Sequence, residues 1–332
     1  MRCTVTTKFR KNPKRTTLII ILFCLLFLLL YIFIGRPLFL YRQPLKVLGY
    51  CAYDVDYFNG YAYTTTNDGL RINLIDSSSS FSKTLRIKTG GMANGIRIAD
   101  EKIYLTGETA LLTVYNLADP LNPREIGKLN PGINSVKIQI YEKLAVVTTY
   151  GNGTYIIDIS DSNAPDVISE IATGKNARAI DIVSNYLYIG DPDSGLIVYD
   201  IKDLSKPEKV LTVTGTVGVF DIFIHNTTMI LGCHHYGIQV FDISIPENPI
   251  LVSKFENGGE AYSVAYVDDY IFVGDLQDGF EIWENSISPK LIYQESSNKK
   301  HAPHAITLAG NKILVADQDR GFESIDWKKL ID

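Results

Sequence analysis

Two patterns of apolar and polar positions divide the chain. From Leu18 to Ile34 it reads LIIILFCLLFLLLYIFI, seventeen apolar residues without a charge. Beyond about residue 44 the apolar runs are short and alternate with polar positions. The stretch around Gly195 is representative: ARAIDIV, YLYIG, LIVYDI and EKVLTVT follow one another, separated by Ser184–Asn185, DPDSG and LSKP. Alternation in runs this short, bounded by turn residues, predicts a four-stranded antiparallel sheet. No apolar periodicity of helical length lies between the strands, which argues against a βαβ array.

The strand pattern recurs every 42 residues. Steps of 42 from Gly195 reach Gly69, Leu111, Gly153, Gly237, Gly279 and Gly321, so six of the seven positions are glycine. Five residues beyond stand Asn116, Asp158, Asp200, Asp242, Glu284 and Asp326, and twelve beyond stand Pro123, Pro165, Pro207 and Pro249. Four strands in a repeat of this length make a propeller blade. The recurring residues have local roles. Glycine allows positive φ at the turn into the third strand. The Asp after that strand accepts backbone N–H bonds as an Asx-turn, and proline opens the outermost strand, where an absent N–H is tolerated.

The count is seven. The last repeat, HAITLAGNKILVADQDRGFESIDWKKLID, supplies three strands and stops, while PLKVLGY at Pro44–Tyr50 matches outer-strand segments such as PILVSKF at Pro249–Phe255. The expected fold is therefore all-β: a seven-bladed β-propeller of four-stranded antiparallel blades over residues 44–332, closed by an N-terminal outer strand. Repeats one and two depart from the pattern, since GLRINLID lacks the aligned Asp and Leu111 replaces glycine.

The segments GLIVYDI and GIQVFDI, followed by the turns Pro246–Pro249 and Pro120–Pro123, resemble LVIVD-repeat proteins from Pro44 to Asp332. That resemblance implies a propeller found on secreted or cell-surface proteins, used mostly for binding or scaffolding, with no shared catalytic motif.

Charge changes the picture at the N-terminus. Residues 1–46 hold nine Lys/Arg and no acid, leaving 23 basic against 37 acidic residues beyond, a balance of −14. Six of the nine precede the apolar run, so a basic cytoplasmic tail (1–15), a transmembrane helix acting as signal-anchor (16–36) and a short linker (37–43) are expected, with the propeller on the extracytoplasmic side. A cleaved signal peptide is disfavoured by the length of the run and by GRPLFLYRQ, which offers no small-residue cleavage site. The acidic head argues against nucleic-acid binding. Four cysteines (Cys3, Cys24, Cys51 and Cys233) lack zinc or redox spacing.

Candidate chemistry gathers at one face. Starts of inner strands and turns after second strands share a channel mouth, and the register places Tyr53, Asn94, Val136, Arg178, Phe220, Tyr262 and His304 at one inner-strand position. Asp191, Cys233, Asp275 and Asp317 end second strands, with His234, His235, Tyr236 and His301 nearby. Ligand-binding candidates are thus Arg178, Phe220, Tyr262, His304, His301, His234, His235, Asp191, Asp275 and Asp317. No metal or cofactor is expected: His234 and His235 are adjacent and diverge if extended, and no HExxH unit occurs. No G-x-S-x-G or other nucleophile motif is present. The expected function is a membrane-anchored binding or interaction module; the alternative is a membrane-anchored hydrolase or lyase, metal-assisted or not, using His, Asp and Arg at the same face. Asn152-Gly-Thr and Asn226-Thr-Thr are candidate glycosylation sites in turns.

Overall fold

The computed structural model describes residues 50–75, 84–129, 132–295 and 302–331. The expected tail, anchor and linker, nearly all of the closing strand, and His301 lie outside the described residues. Among the described residues no helix is long and apolar enough to cross a membrane.

Among the described residues twenty-seven strands form seven antiparallel sheets, each following chain order. In blade 1 they are β1 (Ala52–Phe58), β2 (Tyr61–Thr66), β3 (Gly69–Leu74) and β4 (Thr84–Ile87). The inner strands of blades 2 to 7 begin at Ala93, Ser135, Ala179, Asp221, Ala261 and Pro303. Six sheets have four strands and the seventh has three, Pro303–Ala309, Lys312–Asp317 and Gly321–Asp326, followed by a helical turn at Lys328–Ile331.

The recurring residues do what their chemistry suggests. Side chains of Asn116, Asp158, Asp200 and Asp242 each accept the N–H two residues on, at 2.8 Å in every case. Pro123, Pro165, Pro207 and Pro249 each stand immediately before the outermost strand. Gly153 and Gly237 have φ of 83° and 74°, and a Cβ on either would collide with the carbonyl oxygen of Ile171 or Phe255, at the end of the outer strand alongside. Leu111 has no such turn. It precedes a third strand that starts at Leu112, and its side chain is fully buried.

Stability resides between blades rather than in any one of them. Seven apolar clusters each draw on two adjacent blades. A four-stranded sheet cannot cover both its faces, so each blade needs both neighbours. The cluster of Ala52, Val55 and Ala62 with Ala305, Leu314, Ala316 and Phe322 joins blade 1 to blade 7 and closes the ring. The loop prolines also serve this stacking: the hydroxyls of Tyr63 and Tyr188 donate to the carbonyls of Pro120 and Pro246 in the following blade, at 2.8 and 2.7 Å. A Cβ on Gly321 would lie 3.2 Å from the Tyr50 carbonyl oxygen, which occupies the place taken by Ile171 and Phe255 in blades 3 and 5.

Candidate functional site

The mouth is built by irregularities at the starts of the inner strands. In blade 1 the pairing jumps from Ala52↔Thr66 to Asp54↔Thr65, leaving Tyr53 as the extra residue. Tyr262 is the extra residue in blade 6 and His304 in blade 7. In blades 4 and 5 the strands begin directly after Arg178 and Phe220, whose N–H groups donate to Gly190 and Gly232 at 2.9 Å. A bulge turns its extra side chain out of the sheet's alternation. Here it aims these side chains at the mouth.

The result is a continuous aromatic bowl. His304 lies 5.7 Å from Tyr53 and 4.7 Å from Tyr262, ring centre to ring centre. Phe220 lies 5.0 Å from Tyr262 and stacks on His234 at 4.7 Å. Arg178 sits over Phe220 at 5.2 Å and Tyr150 at 5.6 Å, while its Nη1 donates to the Tyr262 hydroxyl at 3.2 Å. Burial pushes His304 and His234 below the usual imidazole range and the Tyr262 phenol above its own. Near pH 7 the rings are therefore neutral and the guanidinium supplies the positive charge. His304 Nε2 pairs with Gln318 Oε1 at 2.8 Å. Asn94 does not join the bowl, because its Nδ2 donates to the Ser135 carbonyl at 2.7 Å. Tyr150, in the turn after a second strand, was not singled out by the inner-strand register.

The three aspartates have a different task. Asp191, Asp275 and Asp317 are fully buried. In each, Oδ1 accepts two turn N–H groups at 2.7–2.8 Å: those of Asp193 and Ser194, Gln277 and Asp278, and Asp319 and Arg320. Through Oδ1 they tie the hairpins that form the rim; Oδ2 of Asp275 accepts from Asn257 Nδ2 at 2.6 Å and that of Asp317 from the Ala302 N–H at 3.0 Å, while Oδ2 of Asp191 is buried without a hydrogen-bond partner.

Blade 5 has Cys233 where its neighbours have Asp, and its turn differs accordingly. Burial raises the Cys233 thiol to about 12, so it remains a neutral core group; it and Cys51 are both free thiols. Without a carboxylate, the turn closes through Tyr236 N–H to the Cys233 carbonyl at 2.8 Å and adopts φ of 49° at His234. That left-handed residue keeps the chain from being extended. His234 Nε2 then stands 3.5 Å from Glu260 Oε2, and His235 Nε2 stands 3.6 Å from Glu260 Oε1. The two imidazoles meet at one carboxylate rather than diverging, contrary to the expectation for extended neighbours.

Below the bowl a charged girdle spans the channel. Arg97 Nε donates to Gln139 Oε1 at 3.1 Å, and Gln139 Nε2 donates to Asp181 Oδ1 at 2.7 Å. Lys137 Nζ lies 3.9 Å from Asp54 and 3.8 Å from Asp221, linking blades 1, 3 and 5 across the axis. Burial pushes Asp56 and Asp181 up to about 6, against the pull of Arg97. Arg97, Gln139 and Asp181 share the 42-residue register, so the same alignment carried this signal one inner-strand position deeper.

Comparisons with known proteins agree with this geometry. An LVIVD repeat model matches residues 134–173 and 174–215, which correspond to blades 3 and 4. No curated protein matches the chain in sequence. Among solved structures, the computationally designed Ika8 protein is similar at a TM-score of 0.61 and 10% identity, over 81% of each chain. The β-propeller domain of Cps50 (Swd1) from Myceliophteria thermophila is similar at a TM-score of 0.66 and 11% identity, over 84% of this chain and 96% of that one. Such low identity speaks to fold alone. Residues 134–215 thus carry two LVIVD repeats, within a seven-bladed β-propeller.

Proposed function

We propose that this protein is a membrane-anchored, extracytoplasmic binding module whose mouth bowl holds an anionic group attached to an apolar or planar body. The observation that carries this reading is Arg178 set between the faces of Phe220 and Tyr150 and the hydroxyl of Tyr262. A guanidinium held this way keeps N–H donors for a carboxylate or phosphate. Neutral rings from Tyr53, Tyr262 and His304 beside it offer stacking surface, and aromatic side chains present large contact area with few rotors to immobilise.

The anchor reading rests on the basic flank and the apolar run at 18–34. Of the expected closing strand only Tyr50 is described, and its carbonyl oxygen stands beside Gly321 in blade 7. Asn152 and Asn226 are exposed in turns, accessible to glycosylation under the same topology.

Two experiments test these claims. Protease added outside intact cells should remove the propeller; complete protection overturns the orientation. A thermal-shift screen with carboxylate- and phosphate-bearing aromatic compounds should give hits with the wild type that disappear in Arg178→Gln. Hits that persist in that variant place binding elsewhere.

A further inference from the structure

His234, His235 and Glu260 bring two imidazoles to one carboxylate. Both imidazole Nε2 atoms face the carboxylate, each toward a different oxygen, at 3.5 and 3.6 Å. These separations exceed the usual N–H···O distance of about 2.9 Å. They lie close to the roughly 3.3 Å edge expected between ligand atoms about 2.0–2.1 Å from a tetrahedral ion. All three ligand atoms fall within 4.8 Å of one another.

The supports around the group are those a metal site requires. Gln277 Nε2 donates to Glu260 Oε1 at 2.8 Å, which orients the carboxylate. A two-way backbone bridge joins His234 to Ala261, with bonds of 2.9 and 3.2 Å, and fixes the residue beside Glu260 relative to the histidine turn. Phe220 stacks on the His234 ring at 4.7 Å and holds its plane. His234 also adopts φ of 49°, and this left-handed turn brings its ring and that of His235 to the same carboxylate. His234 and Glu260 are largely shielded, at 21% and 23% side-chain exposure, whereas His235 is 61% exposed. One side of the trio therefore opens to solvent.

We infer that His234, His235 and Glu260 form a binding site for a first-row divalent cation of the zinc type, with a fourth position open at the channel mouth. Two imidazoles and one carboxylate suit zinc, copper or nickel better than magnesium or calcium, which prefer all-oxygen shells. Each ligand is supplied by a turn or strand end that ring closure holds in place. The inference stands apart from the anion-binding reading, since metal uptake is measured with no ligand present.

The test uses the purified full chain without a polyhistidine tag. Zinc titrated against a chromophoric chelator should bind at one equivalent per chain. His235→Ala and Glu260→Gln should each weaken it about tenfold or more, with His225→Ala unchanged. Cobalt in place of zinc should give the intense visible bands of four-coordinate geometry. His234→Asn tolerates positive φ and separates loss of a ligand from loss of the turn; should it fail to fold, His235→Ala and Glu260→Gln decide. Less than one equivalent of zinc, or zinc binding unchanged in both of those variants, overturns the inference.

Discussion

The Arg178 guanidinium donates to the Tyr262 hydroxyl at 3.2 Å although the residues are 84 positions and two blades apart. Between them Phe220, from the intervening blade, lies under the guanidinium at 5.2 Å and against the Tyr262 ring at 5.0 Å. One repeat position, occupied by three different residues, thus yields a charge, a face and a hydroxyl that converge. Repetition supplies the placement, and variation at that position supplies the chemistry.

Tyr262→Phe separates these parts. It keeps the ring and removes only the hydroxyl, so folding stability should fall by about 1 kcal/mol or less. Affinity for an anionic aromatic probe should weaken less than in Arg178→Ala, which removes the charge as well. Calorimetric titration of both variants checks the order; the reverse ranking contradicts the assigned role of Arg178.

The rim aspartates should matter for folding rather than binding. Asp275→Ala strips an acceptor from the Gln277 and Asp278 N–H groups and from Asn257, all tied to a fully buried carboxylate. A loss of about 1–3 kcal/mol is expected in urea unfolding, with any mouth affinity preserved in the folded fraction. An unchanged midpoint contradicts the turn-tying role.

The contribution of three buried carboxyls to stability should decline as pH rises from about 4 to 7, while the lowered imidazoles of His234 and His304 act in the opposite sense. Burial raises Glu281 from 4.5 to about 7, outweighing its three N–H donors Trp283, Asn257 and Gln294. Asp56 and Asp181 move from 3.8 to about 6, also by burial. A carboxyl whose folded pKa is raised binds its proton more tightly in the native state. Its contribution is complete below the unfolded pKa and lost as pH climbs through the folded one. For Glu281 the span is on the order of 3 kcal/mol. Between pH 4.5 and 7.5 the wild type should lose stability relative to Glu281→Gln, as read from the two unfolding midpoints; an identical pH response in both contradicts the assignment.

Two glycines with similar backbone angles should respond differently to substitution. Gly60 has φ of 84° with nothing near its missing Cβ, so Gly60→Ala should cost only the left-handed penalty of about 1–2 kcal/mol. Gly237 has φ of 74°, and its Cβ would meet the Phe255 carbonyl and lie 2.9 Å from Glu256 Cα. Gly237→Ala should therefore destabilise more. Equal losses by chemical denaturation would argue against the close approach to the outer strand.

Much of the fold is legible in the chain because its devices are local. The glycine turn, the Asx-turn and the proline before the outer strand each act within a few residues, so they leave the same mark in each repeat that keeps them. The bowl is legible only in part. Arg178, Phe220, Tyr262 and His304 are found by register, since a bulge or strand start recurs at that position. Tyr150 and Glu260 are missed because they belong to connections, whose side chains reach the mouth only through their turn geometry.

By itself the sequence determined seven blades of four-strand character, the residues that shape their turns, and the inner-strand position that faces the mouth. Only the tertiary structure decided what those residues do once there. Asp191, Asp275 and Asp317, expected at the mouth as ligands, each commit Oδ1 to two N–H groups of their own hairpin turn. His234 and His235, expected to diverge, converge because Cys233 takes the aspartate's place in blade 5, the turn after it is left-handed at His234, and the next blade brings Glu260 alongside. Periodicity marks which positions face one another from blade to blade, as Arg97, Gln139 and Asp181 do, whereas the turn geometry that decides which other side chains reach them leaves no periodic mark.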